Sequence, residues 1–154
     1  MCLKKSALLL EEAAILATAG DEHVRHSSVL FSYAVEELGK AAILREELER
    51  NSEKPTIRGF YHHPTKIGKA TELVGEEQLE LRRGAFQRTG FQATGFDVGV
   101  QTDLDTRLRA LYVDWDPERF VWRTEMSVDK DLLLRNIERL KEVVREKMET
   151  WWRG

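Results

Sequence analysis

Apolar residues recur at three- and four-residue intervals along most of this chain, the spacing of amphipathic helices. The first helix is predicted from Leu3 to Ala19, with Leu3, Ala7, Leu10, Ala14 and Ala17 as its stripe and Gly20-Asp21 as its stop. A second begins near Asp21 or Glu22 and runs to about Arg50, broken off by Asn51-Ser-Glu-Lys-Pro55. The short connection makes these two an antiparallel pair. A third helix starts at Pro64, a residue suited to a first helical turn, and carries Ile67, Ala70, Leu73 and Val74 toward Leu81. A fourth spans Asp103 to Trp115, with Leu104, Leu108, Leu111 and Trp115 on one face, and Asp116-Pro117 stops it. Asp129 is a good N-cap for a last helix reaching about Trp152, with Leu133, Ile137, Leu140, Val144, Met148 and Trp151 in line. The expected fold is all-α, an antiparallel bundle of four to five helices in one domain over 1–154.

Two stretches break the helical pattern. Glycines 84, 90, 95 and 99 with Phe86, Phe91 and Phe96 between them predict an irregular segment over 83–102. Phe120 to Glu125 alternates and reads as a short extended segment, with no second strand visible to pair with it.

The middle of the second helix, Tyr33-Ala-Val-Glu-Glu-Leu-Gly-Lys-Ala-Ala-Ile-Leu44, holds the most informative pattern. On a helical wheel Phe31, Ala34, Val35, Leu38, Ala41 and Ala42 share one face, widened by Leu30, Tyr33 and Leu44. Glu36 points away and is expected on the surface, in a helix-surface ion pair with Lys40. Glu37 falls about 20° from both Leu30 and Leu44, inside the apolar arc. A carboxylate aimed at a core needs partners, because an unpaired buried charge is very costly.

Composition narrows the class of protein. The chain has 154 residues, enough to bury a substantial core, and its 42% hydrophobic and 33% charged content suits a globular helical domain. Its formal net charge of -3 supplies no bulk attraction to nucleic acid. A single cysteine, Cys2, forms no internal disulfide, and no apolar run approaches the roughly 20 residues of a membrane span. A cytoplasmic protein without membrane attachment is expected.

Candidate chemistry is sparse. His62 and His63 with Lys66 stand at a helix start, where anion binding or acid–base work competes with an exposed turn. Arg109 lies one turn before Tyr112, so both can face one interior or a solvated surface. His23 and His26 are one turn apart but lack a third ligand, and no Glu-x-x-His pair supports a di-iron site. No metal or cofactor is expected. A phosphate-cradling glycine loop is also absent.

Three blocks in order, Tyr33-Ala-Val-Glu-Glu-Leu-Gly-Lys40, His63-Pro-Thr-Lys66 and Arg109-Ala-Leu-Tyr-Val-Asp114, resemble the AbiV family of bacterial abortive-infection proteins. The resemblance implies a helical bundle related to the HEPN superfamily, commonly homodimeric, that serves anti-phage defence by acting on translation or RNA metabolism. It also implies that Glu37 with Lys40, His63 with Lys66, and Arg109 with Tyr112 converge in one polar pocket. Many HEPN proteins are metal-independent ribonucleases with an Arg, four to six intervening residues and a His. Arg58-Gly-Phe-Tyr-His-His63 satisfies that spacing but falls in a connector before a proline, a departure from the usual late helix. The pocket therefore reads as a site acting on RNA, with His63 as acid–base and Lys66 and Arg109 steadying a phosphate. The alternative is a non-catalytic helical module that binds a translation-related, phage or host regulatory protein. A nucleotide-like ligand at the same pocket is a third reading.

Overall fold

The computed structural model of the protein describes residues 1–50, 59–74, 114–116, 121–123 and 128–151. Within them stand four helices, α1 (Cys2–Ala19), α2 (Val24–Glu49), α3 (His63–Val74) and α4 (Lys130–Trp151). A 3₁₀ turn, Asp21–His23, links α1 to α2, and a short antiparallel strand pair, β1 (Asp114–Asp116) with β2 (Val121–Arg123), precedes α4. The described helices make the fold all-α in class, as the periodicity led us to expect.

α2 is the central helix. It packs against α1, α3 and α4, and from Val24 to Ile43 it buries most of its residues outside a narrow strip carrying His26, Tyr33 and Lys40. Phe31, Ala34, Val35 and Leu38 are fully enclosed, joined in one core by Leu10 and Ala13 of α1, Ile67 and Ala70 of α3, and Leu133, Ile137 and Leu140 of α4. Small polar residues let the first two helices approach closely. The Ser6 hydroxyl donates to the Ala34 carbonyl at 2.8 Å, and the Ser27 hydroxyl donates to the Ala13 carbonyl at 2.7 Å. As one helix advances from Ser6 to Ala13 the other recedes from Ala34 to Ser27, the antiparallel pairing that the short connection predicts. The face that α1 buries is Leu3, Ser6, Leu10, Ala13 and Ala17. Ala7 and Ala14, expected in its stripe, are only partly covered, because the stripe turns toward the serine contacts.

The last helix follows its expected pattern. The Asp129 carboxylate accepts from the Leu132 amide at 3.0 Å, the N-cap bond predicted for that residue. Leu133, Ile137, Leu140 and Val144 are buried, and Met148 and Trp151 pack at the margin of the core. Lys130 reaches Asp21 at 2.8 Å near the end of α1, while Trp151 shares a groove with Met1, Cys2 and Leu3, so α4 runs antiparallel to α1.

Three expectations change. α2 proper begins at Val24, because Asp21–His23 forms the 3₁₀ turn. Asp114 and Trp115, expected to close a fourth helix, are extended and pair with Arg123 and Trp122. The alternating segment around Val121 therefore has the partner strand that local periodicity could not reveal. The pairing joins residues five to nine positions apart, and a window of helical spacing carries no record of it. The stretch from 75 to Leu81, the glycine–phenylalanine segment at 83–102 and residues 103–113 of the expected fourth helix lie outside the described residues.

Candidate functional site

Glu36 and Glu37 are consecutive on α2, so their side chains leave the helix about 100° apart and meet different neighbours. Both are buried, at 4% and 6% exposure. Glu36 faces α3. Its Oε1 lies 2.8 Å from His63 Nδ1, and its Oε2 accepts from Lys66 Nζ at 2.7 Å. Glu37 faces α1. Its Oε1 accepts from Lys40 Nζ at 2.6 Å and from Lys5 Nζ at 3.2 Å.

The surface position expected for Glu36 is therefore overturned, and so is its expected pairing with Lys40. The wheel assigned Glu36 to solvent because it lies opposite the apolar arc. α3 covers that side of α2, and Glu36 is held there by Lys66 and His63, one turn apart on α3. A sequence signal for this burial existed. Ser28, Ser32 and Gly39 occupy the side of α2 that a surface helix would fill with long charged residues.

Gly39 makes the α2–α3 contact possible. A Cβ at this position would collide with the backbone of Lys66, whose carbonyl lies against the glycine. Gly39 is one turn beyond Glu36, so the close approach falls on the same side as the carboxylate. Lys66, 3% exposed, is thereby pressed into the interface with its ammonium on Glu36. His63, one turn earlier on α3, keeps its side chain 44% exposed. The ring thus has one side on a buried carboxylate and one toward solvent.

The proton on His63 can be assigned by comparing its two contacts. Lys66 Nζ lies 3.4 Å from Nδ1, whereas Glu36 Oε1 is at 2.8 Å. The shorter contact, to a carboxylate that can only accept, requires a proton on Nδ1. Lys66 then directs its donor to Glu36. In the neutral ring this makes Nε2 the basic nitrogen.

The second carboxylate is an electrostatic hub. Burial pushes the Glu37 carboxyl toward protonation, but the hydrogen bonds from Lys40 and Lys5 outweigh it and hold the group below the ordinary glutamate range. Beside it, burial and then the Glu37 charge push the Cys2 thiol up, away from the reactive thiolate. Lys40 also lies 5.6 Å from the centre of the Phe60 ring, at cation–π distance. Among the described residues, three lysines, 5, 40 and 66, surround the two carboxylates, one positive charge in excess in a chain of net charge -3.

Two of the three expected blocks accordingly meet. Lys40, His63 and Lys66 all belong to the cluster, but His63 and Lys66 meet Glu36 instead of Glu37. Lys5, which sequence spacing did not single out, supplies the second cation on Glu37. Arg109, Tyr112 and Arg58 lie outside the described residues. His62 sits apart, its Nδ1 2.8 Å from the exposed Thr65 hydroxyl. Among the described residues no group of three His, Cys, Asp or Glu side chains is placed to hold a metal ion. No helix of those residues is long and apolar enough to cross a membrane.

Comparison with known proteins gives one result. The HEPN-type family model described as AbiV matches residues 1–145. No curated protein and no solved structure matches the chain.

Proposed function

The chain belongs to the AbiV family, and from that premise we propose that it is an abortive-infection protein acting on RNA through the Glu36–His63 pair. The observation that carries this reading is the 2.8 Å contact between Glu36 Oε1 and Nδ1 of the half-exposed His63 ring. A carboxylate on Nδ1 fixes the tautomer and stabilises the imidazolium that forms when Nε2 takes a proton. Glu36 and Lys66 are positioning residues in this scheme. Lys66 is buried on Glu36, so it steadies the carboxylate rather than a phosphate. The surplus positive charge of Lys5 and Lys40 favours an anionic substrate nearby.

In the reaction, Nε2 of His63 takes the proton of a ribose 2′-hydroxyl as that oxygen attacks the adjacent phosphorus. The bond from phosphorus to the 5′ oxygen breaks, and the departing oxygen takes a proton from solvent. The products are a cyclic 2′,3′-phosphate and a 5′-hydroxyl end. This reading has the protein working in the cytoplasm as a homodimer, the state the family implies.

The test is incubation of purified protein with tRNA, rRNA and mRNA, with analysis of the ends produced. Cleavage by the native protein and its loss in His63→Ala, at an unchanged melting temperature, is the expected result. Undiminished cleavage by His63→Ala defeats the assignment.

One observation favours a second reading. The pair sits one turn from a close contact between α2 and α3, where the Lys66 backbone leaves no room for a side chain at Gly39. In that reading the cluster braces the helices of a non-catalytic module that binds a translation-related, phage or host protein. It predicts no RNA cleavage and a large loss of thermal stability in His63→Ala.

A further inference from the structure

The turn preceding α3 presents an aromatic ring in an unusual setting. Tyr61 is 84% exposed, well above the 40% of Tyr33. A single exposed ring is ordinary on a protein surface; what distinguishes this one is how the turn beneath it is held and what stands beside it. The turn is well braced. Gly59 adopts a φ of 86°, a conformation that favours glycine, and the His62 amide donates to its carbonyl at 2.9 Å. A Cβ on Gly59 would come within 2.7 Å of the Thr65 methyl, so the turn rests directly on the first turn of α3. Phe60 is held under the Lys40 ammonium, and the Tyr61 ring meets Phe60 edge to face, with centroids 5.4 Å apart and planes at 75°. A T-shaped contact with one neighbour, at 84% exposure, leaves at least one face of the tyrosine ring available for stacking.

Tyr61 also stands two residues before His63, so their Cα atoms are separated by at most about 7 Å. A flat, supported aromatic face is thereby offered beside a half-exposed imidazole and a net positive cluster. Unpaired nucleobases are bound by stacking on such rings, with cations tracking the adjoining phosphates, whereas bases within a duplex are not available to stack. We propose that Tyr61 is the base-stacking platform of this site, and that the ligand class it selects is single-stranded RNA. The inference rests on the acid–base reading of His63 only for the statement that the bound strand is also cut there.

Binding is measured by fluorescence anisotropy with an unstructured RNA oligonucleotide and with the same sequence annealed to its complement. Native protein, Tyr61→Ala and Tyr61→Phe are compared, each also in a His63→Ala background to separate binding from turnover. Tyr61→Ala is expected to weaken single-strand binding about ten-fold or more, with duplex affinity and melting temperature unchanged. Tyr61→Phe retains the ring and is expected to bind like the native protein. Equal single-strand affinity of Tyr61→Ala and native protein overturns the platform, and so does a Tyr61→Phe defect as large as that of Tyr61→Ala. The two readings separate cleanly. Tyr61-dependent binding without His63-dependent cleavage leaves the platform standing and removes the acid–base assignment. His63-dependent cleavage with Tyr61-independent binding does the reverse, and no binding of either RNA overturns both.

Discussion

Gly39 of α2 lies directly against the carbonyl of Lys66 in α3, and the missing side chain is what lets the two helices carry Glu36 onto His63 and Lys66. The glycine is thus tied to the charge cluster one turn away. Filling that space with a side chain moves α3 as a unit and with it the two partners of Glu36, His63 and Lys66.

Gly39→Ala is accordingly expected to destabilise the protein by about 1–3 kcal/mol, the usual cost of overpacking. Gly68 supplies the control, because a Cβ there meets nothing within 4 Å although the residue is inside α3. Gly68→Ala is expected to stabilise by roughly 0.5–1 kcal/mol, the cost of glycine within a helix. Urea melts of the two variants check the opposite signs.

Glu36→Gln leaves the Lys66 ammonium buried without its counter-charge. A loss of about 3–5 kcal/mol is expected, as for breaking a buried ion pair from one side. Glu36→Leu combined with Lys66→Met removes both charges and is expected to be less destabilised than either single substitution. A double-mutant cycle from chemical denaturation measures the coupling, and simple additivity would contradict it.

The Glu37 carboxyl is held below its ordinary range in the folded chain, so the unfolded chain binds its proton more readily. Its contribution to stability is present above the unfolded pKa and is lost as pH falls through the folded one. Denaturation midpoints of the native protein are therefore expected to drop on acidification below about pH 4.5. Glu37→Gln is expected to flatten that part of the profile. An unchanged slope in the variant would show that other carboxylates carry it.

Asp129→Ala removes the acceptor of the Leu132 amide and is expected to cost about 1 kcal/mol at the start of α4. Asp129→Ser keeps a capping oxygen and is expected to recover most of that loss. Thermal melting of the three proteins, with hydrogen exchange of the first turn of α4, gives the comparison.

The helices were legible because each carries its own evidence: the stripe from Leu133 to Val144, the cap at Asp129, and the apolar arc around Phe31 and Leu38. Glu37 was legible as a buried carboxylate for the same reason, since it interrupts an arc visible from α2 alone. The family resemblance brought the Glu-Glu-Leu-Gly-Lys and His-x-x-Lys blocks together before any coordinate did. Local pattern also misassigned Asp114 and Trp115 to a helix, because the strand they join lies several residues further on.

What the sequence by itself determined, then, is the helical class, the family and four members of the polar cluster: Glu37, Lys40, His63 and Lys66. Which carboxylate meets which cation was decided only in three dimensions. Helical period orders the residues around one axis, but it does not say how many neighbours surround that axis. With α1 on one side of α2 and α3 on another, Glu36 left the surface for His63 and Lys66, and Glu37 took Lys5 and Lys40.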